Sequence, residues 1–493
     1  NFHKFSEDKV IAPILVATNY SNRSTSIQMS VYDDRVINPL VTGKAGISAL
    51  IENVLEEFPS EAPVHNDWVI SPYAPTPTIV EAAKTLYESH SVENITRHEA
   101  DKVSTDATIK YILDVIHKSK ANGEKSICFV TGVPGAGKTL IGLQTAIDQF
   151  NKGEKSVYLS GNFPLVEVLQ EALTRDYVRR SKEDYKSGRT TEKPCTKAEA
   201  KSKVKAFIQM IHHYRDLYLE GTRVENGEIV PIPEYFASHN DKAYVPTEPV
   251  AIFDEAQRAW NQRMLSDFMQ KKKGAILNRL TDEQRAHFLA MSEPELLIDY
   301  MNRHQDWAVI VCLVGGGQDI NTGEAGIQEW FASLKRSFPD WNVYVSGDIT
   351  ASEYLGDQSF AELTDGLKCE TIKELHLSVS LRAHRTSDVA GFVDSLLDND
   401  ANAAAEKYKR LSEVYPIYMT RDLARAKQWV REQTAGKALR HGLIASSNGR
   451  RLRADGIWIE SKCKPEKWFL GERDDIKSSY FMEEAASEFD IQG

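Results

Sequence analysis

The chain has no long apolar run. Its longest, Trp307 to Val314, falls far short of the ~18 residues that a membrane span needs. Cysteine is scarce and scattered: Cys128, Cys195, Cys312, Cys369 and Cys463 form no C-x-x-C pair and have no histidine near them at zinc-finger spacing. This excludes a disulfide framework or a structural zinc and points to a reducing, cytoplasmic setting. Positive charge is not in excess, since 60 Lys and Arg against 71 Asp and Glu leave a net −11. A surface coated in positive potential is thereby excluded, although a local basic groove could still hold nucleic acid. An N-K-x-D sequence to read guanine is also missing. What remains, 41% apolar and 27% charged over 493 residues, is a globular composition with material for roughly two to four domains.

The strongest positive signal is SICFVTGVPGAGKTLIGLQTAIDQF, from Ser126 to Phe150. Gly132 to Thr139 have the spacing G-x-x-x-x-G-K-[ST] of a phosphate-binding loop. Ahead of it, Ile127 to Val130 read as a strand buried on both faces; behind it, Leu140, Leu143, Ile147 and Phe150 form a helical apolar stripe. Gly132, Gly135 and Gly137, with Pro134 and Ala136 between them, let the backbone N–H groups turn toward a pyrophosphate at a helix N-terminus. Lys138 would bridge the β- and γ-phosphates of ATP, and the Thr139 hydroxyl would bind Mg²⁺.

Residues 1–100 read as a small α/β segment. Strands are expected at Val10–Thr18 and Ser26–Tyr32, helices at Ala45–Phe58 and Ile79–Tyr87, and an extended stretch at Ser71–Thr78. Glu7 and Lys9 match the E-x-K pair of some nucleases, but a solvated charge pair is the simpler reading. A lead-in helix at Ala100–Ser119 opens a domain spanning 101–340. Strands are expected within it at Ser156–Ser160, Val250–Phe253 and Trp307–Val314, and residues 221–248 read as loop. An insertion at 175–248 is basic, with charges crowded from Arg175 to Arg215 and Tyr177, Tyr185, Phe207 and Tyr214 interleaved. It could track a phosphate backbone and stack bases, or be a solvated helical excursion. A further α/β domain is expected at 341–493, with strands at Val343–Ser346, Glu374–Leu377 and Leu443–Ala445 and a helix at Ser387–Leu397.

Strand Val250–Phe253 runs into Asp254-Glu255-Ala256-Gln257. Two carboxylates at a strand end supply the second half of a phosphate-loop ATPase site: Asp254 would hold Mg²⁺ through water, and Glu255 would deprotonate the attacking water. After the next strand, Gly315-Gly316-Gly317 leads to Gln318, which could bond the γ-phosphate or that water. Arg382 could bring a guanidinium from the last domain.

In this order, GVPGAGKT, IFDEAQRAW, GGGQDINTGE, VSLRAHR and EFDIQG resemble superfamily 1 helicases, and more closely the Schlafen group 3 DNA/RNA helicase family, over about residues 100–493. The resemblance implies an α/β fold with two RecA-like parallel-sheet domains, the second incomplete. It assigns Lys138 and Thr139 to motif I, Asp254, Glu255 and Gln257 to motif II, Gln318 to motif III and Arg382 to motif IV, and has Glu488–Gly493 open motif V. The stretches FHKFSEDKVIAPILVAT and SPYAPTPTIVEAA look like the segment before the ATPase core of bacterial members, where a nuclease-like domain often lies upstream. The function implied is an ATP-driven helicase or translocase on DNA or RNA, single-stranded at the point of grip. The alternative is a regulatory ATPase switch that gates a partner or attached nuclease.

Overall fold

The structure, a computed structural model, describes residues 10, 12–16, 27–28, 37–58, 99–132, 136–226, 228–239, 243–315, 324–350, 359–377, 383–412, 417–436, 439–460 and 463–491. By internal packing the chain divides into two units, residues 1–78 with 91–106, and residues 79–90 with 107–493.

In the first unit, β1 (Ile14–Val16) pairs in parallel with β2 (Leu40–Thr42), and the helix Ile47–Glu57 follows. Ile37, Leu40 and Leu50 form its small core. β1 is shorter than the strand expected at Val10–Thr18, and β2 was not foreseen. Glu7 and Lys9, the extended stretch at Ser71–Thr78, the helix at Ile79–Tyr87 and all but residues 27 and 28 of the strand at Ser26–Tyr32 lie outside the described residues.

The second unit is built on β3 (Lys125–Gly132), β4 (Ser156–Ser160), β5 (Ile208–Met210), the hairpin of β6 (Thr222–Glu225) and β7 (Glu228–Pro231), β8 (Val250–Asp254), β9 (Ala308–Gly315), β10 (Asn342–Ser346), β11 (Lys368–Ile372) and β12 (His376–Leu377). All but the hairpin join one parallel 8-stranded sheet, ordered β11-β10-β3-β9-β8-β4-β5, with β12 on the end of β3. Every residue of β9, and all of β3 after Lys125, is buried, as expected of central parallel strands covered on both faces. On one face Phe129 stacks on Phe331 of the helix Gly326–Ser337, ring centroids 4.9 Å apart, and meets Trp330 edge-on. Onto the other lies the helix Lys138–Asn151. It comes so near that a Cβ on Gly142 would stand 2.6 Å from Leu313 Cδ1 and 3.0 Å from Ile252 Cγ2, a fit that only glycine allows.

Two expectations are corrected. Residues 342–346 do not open a second sheet: Val343, Tyr344, Val345 and Ser346 are buried, and their strand pairs with β3. The expected strand Glu374–Leu377 is a short helical turn, Lys373–Leu375, followed by β12, which pairs with Thr131 and Gly132 in the same sheet. Within the expected loop 221–248 lie the β6–β7 hairpin and the helix Pro233–Ser238. There Asn226 takes φ 54, a left-handed conformation that asparagine tolerates better than most residues, and Asn226-Gly227 between two extended runs was a hairpin signal in the sequence. β13 (Leu443–Ile444) and β14 (Ala485–Ala486) pair in a separate parallel sheet.

Candidate nucleotide site

Parallel register brings Gly132 of β3 opposite Gly315 of β9, and Asp254 of β8 opposite Ser160 of β4, so all four stand at the carboxyl edge of the sheet. The chain passes from β9 across β3 to β10, making β3 a switch point of the strand order, where open α/β sheets bind ligands. Gly137 enters the following helix at φ 89, a conformation that glycine adopts without strain. Lys138 starts that helix and donates from Nζ to the Gly132 carbonyl at 2.6 Å. The amine therefore sits at the carboxyl end of β3, beside the positive end of a 14-residue helix.

Thr139, one residue on, points its hydroxyl at the Asp254 carboxylate, 3.4 Å from Oδ1 and 3.2 Å from Oδ2. Tyr158, from the middle of β4, donates its phenol to Asp254 Oδ2 at 2.5 Å. Asp254 is buried, and burial, helped by the charge of Glu255, pushes its carboxyl up to about 6 against the hydrogen bonds from Tyr158 and Thr139. A hydroxyl and a carboxylate converging beside a phosphate-type loop are hard oxygen donors that suit a magnesium ion completing its shell with water and phosphate. Among the described residues no three His, Cys, Asp or Glu side chains gather into a cluster that could hold a metal by themselves.

Glu255 leaves the strand at φ 54 and ψ 47, left-handed for a residue with a Cβ, at a cost of about 1–2 kcal/mol. The turn Ala256–Arg258 that absorbs this is braced by Trp330, whose indole N–H donates to the Ala256 carbonyl at 2.9 Å, and by Ala325 N–H to the Ala259 carbonyl at 2.7 Å. Gln257 spans the two strand ends: its amide N–H donates to Glu255 Oε2 at 2.5 Å, and its carbonyl accepts from Gly315 N–H at 2.9 Å. Glu255 also lies 3.9 Å from Arg258 Nε.

Of the residues singled out in the sequence, Gly132, Ala136, Gly137, Lys138, Thr139, Asp254, Glu255 and Gln257 gather at this edge. Pro134, Gly135, Gln318 and Arg382 lie outside the described residues. Tyr158 was missed. Its signal was faint: a tyrosine in an otherwise apolar or small-residue strand, on the alternation that faces the next strand's acidic end.

The basic run is less open than its composition suggests. Arg179 and Arg180 both reach Asp176, at 2.6 and 2.8 Å, and that carboxylate is only 3% exposed. Arg175 and Lys197 share Glu171. Phe207, Tyr214 and Arg215 are corrections, because they lie in the core and not along an open path. In the helix Ile211–Tyr218 the buried residues are Ile211, Tyr214, Arg215 and Tyr218, one helical stripe, so Arg215 is carried inward with its apolar neighbours. There it meets Glu293 at 3.2 Å and lies over the Trp260 ring.

No curated protein matches the chain. The family model described as Schlafen group 3, DNA/RNA helicase domain matches residues 125–493, about three quarters of the sequence.

Proposed function

Because the chain belongs to the Schlafen group 3 DNA/RNA helicase domain family, we propose that it hydrolyses ATP at the edge formed by β3, β8 and β9 and uses the energy to move along single-stranded DNA or RNA. The observation that carries this reading is the convergence of Thr139 and Asp254 beside Lys138, which supports a nucleotide triphosphate bound with its cation.

Lys138 and the N–H groups of the loop hold the β- and γ-phosphates. Thr139 and Asp254 would hold Mg²⁺, which when bound neutralises charge on the phosphate oxygens. Glu255 accepts the proton of the water that attacks the γ-phosphorus; the bond to the bridging oxygen breaks, and ADP and phosphate leave. Gln257 aims that base and links it to the backbone of Gly315, where the segment with Gln318 begins. In this reading the sheet from β3 to β12 is the first RecA-like lobe. Residues beyond Leu377, instead of those beyond Trp341, supply the second, which offers Arg382 to the γ-phosphate. Residues 1–100 are a segment preceding the motor.

The nucleic acid is gripped by backbone charge, so affinity falls with salt. ATP turnover measured with and without a single-stranded oligonucleotide tests the proposal. Turnover indifferent to the polymer would favour a switch that gates a partner or attached nuclease.

A further inference from the structure

β4 and β8 run in parallel with Tyr158 opposite Ile252 and Ser160 opposite Asp254. Alternate residues share a face, so Tyr158 and Asp254 are diagonal neighbours, and a side chain as long as tyrosine spans that gap. The ring of Tyr158 is wholly buried, and its hydroxyl meets Asp254 Oδ2 at 2.5 Å, the length of a charge-assisted O–H···O⁻ bond. A phenylalanine would fill the same core space. The hydroxyl is therefore unnecessary for packing, and its partners are the carboxylate assigned to the cation and the Thr139 hydroxyl beside it.

We propose that Tyr158 is a positioning residue for the nucleotide's divalent cation: its hydroxyl anchors one oxygen of Asp254, fixing the rotamer that presents the carboxylate beside Thr139. This rests on the reading of the nucleotide site given above. Without the anchor, the carboxylate can turn away from Thr139, and its burial leaves no water to replace the lost bond. Nucleotide contacts made by Lys138 and the loop do not pass through Tyr158.

The test is binding of a fluorescent ATP analogue to the full chain, first in EDTA and then across a Mg²⁺ titration, for wild type, Tyr158→Phe, Asp254→Asn and the double variant. Tyr158→Phe should bind the analogue like wild type in EDTA and need about tenfold more Mg²⁺ for half-saturation, as expected when a partner of a metal ligand is removed. In the Asp254→Asn background the same change should add no further shift. An unchanged Mg²⁺ requirement in a Tyr158→Phe protein that melts like wild type would overturn the proposal, as would an equal shift in both backgrounds, which marks a merely structural role. Wild-type binding that ignores Mg²⁺ would instead remove the cation site itself, and Tyr158's role with it.

Discussion

The hydroxyl of Thr139 and the carboxylate of Asp254 stand 3.2 Å apart, although 115 residues separate them in the chain. Neither is at a loop tip: one lies in the first turn of a helix packed against the sheet, the other at the end of a buried strand. A site built on such elements holds its geometry more closely than one built on loops. The juxtaposition is what the sequence pattern of loop and acidic strand end requires if both serve one cation.

Gln257 is the joint between the two strand ends. Gln257→Ala would release Glu255 and leave the buried Gly315 N–H without its acceptor, at a cost of about 1–3 kcal/mol in folding. We expect ATP turnover to fall about tenfold, less than the roughly 10²-fold or more of losing the base itself because Glu255 is still present, with KM little changed. Steady-state kinetics and urea denaturation check the two arms.

Asp254 should make the nucleotide-free protein less stable as pH rises. Its carboxyl is raised from 3.8 to about 6 by burial first and the charge of Glu255 second, so the folded state holds the proton more tightly than the unfolded state does. That contribution is fully present below 3.8 and is lost as pH climbs through about 6, a change of about 3 kcal/mol. Asp254→Asn cannot ionise. Urea unfolding in EDTA should show the variant gaining on wild type between about pH 4 and pH 7; a constant difference would contradict the shift.

Much of the candidate site was legible, because a phosphate-loop pattern and an acidic strand end are local patterns, and the structure brings their described residues to one sheet edge. The core strands were legible too, since strands buried on both faces are continuous apolar runs. Sheet membership was not. Val343 to Ser346 read as a strand, but nothing local says that it returns beside β3 instead of starting a new sheet. Arg215 misled for a related reason: composition counts its charge, while helical phase decides that it points inward. Tyr158 left only a faint signal because its meaning depends on the neighbour across the sheet.

Arg215 and Glu293 form a pair in which both side chains are nearly excluded from solvent, 4% and 5% exposed. Arg215→Ala should strand the Glu293 carboxylate and cost about 3–5 kcal/mol, read as a lowered denaturation midpoint. Arg215→Met, which keeps the volume, combined with Glu293→Gln should recover part of that loss.

Arg179 and Arg180 are committed to Asp176. Replacing both with Ala should therefore leave the slope of log affinity for an oligonucleotide against log salt nearly unchanged, because few phosphate contacts are lost. The same double variant should melt early, since a carboxylate 3% exposed loses both partners. A slope reduced by about two units would instead place these arginines on the phosphate backbone.

The most direct test of the account is the rate of ATP hydrolysis with and without single-stranded DNA or RNA, in wild type, Lys138→Ala and Glu255→Gln, with nucleotide affinity measured alongside. Wild-type turnover should rise severalfold with the polymer. Binding should weaken about 10- to 100-fold in Lys138→Ala, from loss of a charge-assisted bond, and in Glu255→Gln binding should be retained with turnover down about 10²-fold or more. Turnover that the polymer does not change, or equal loss of binding in both variants, would contradict the account.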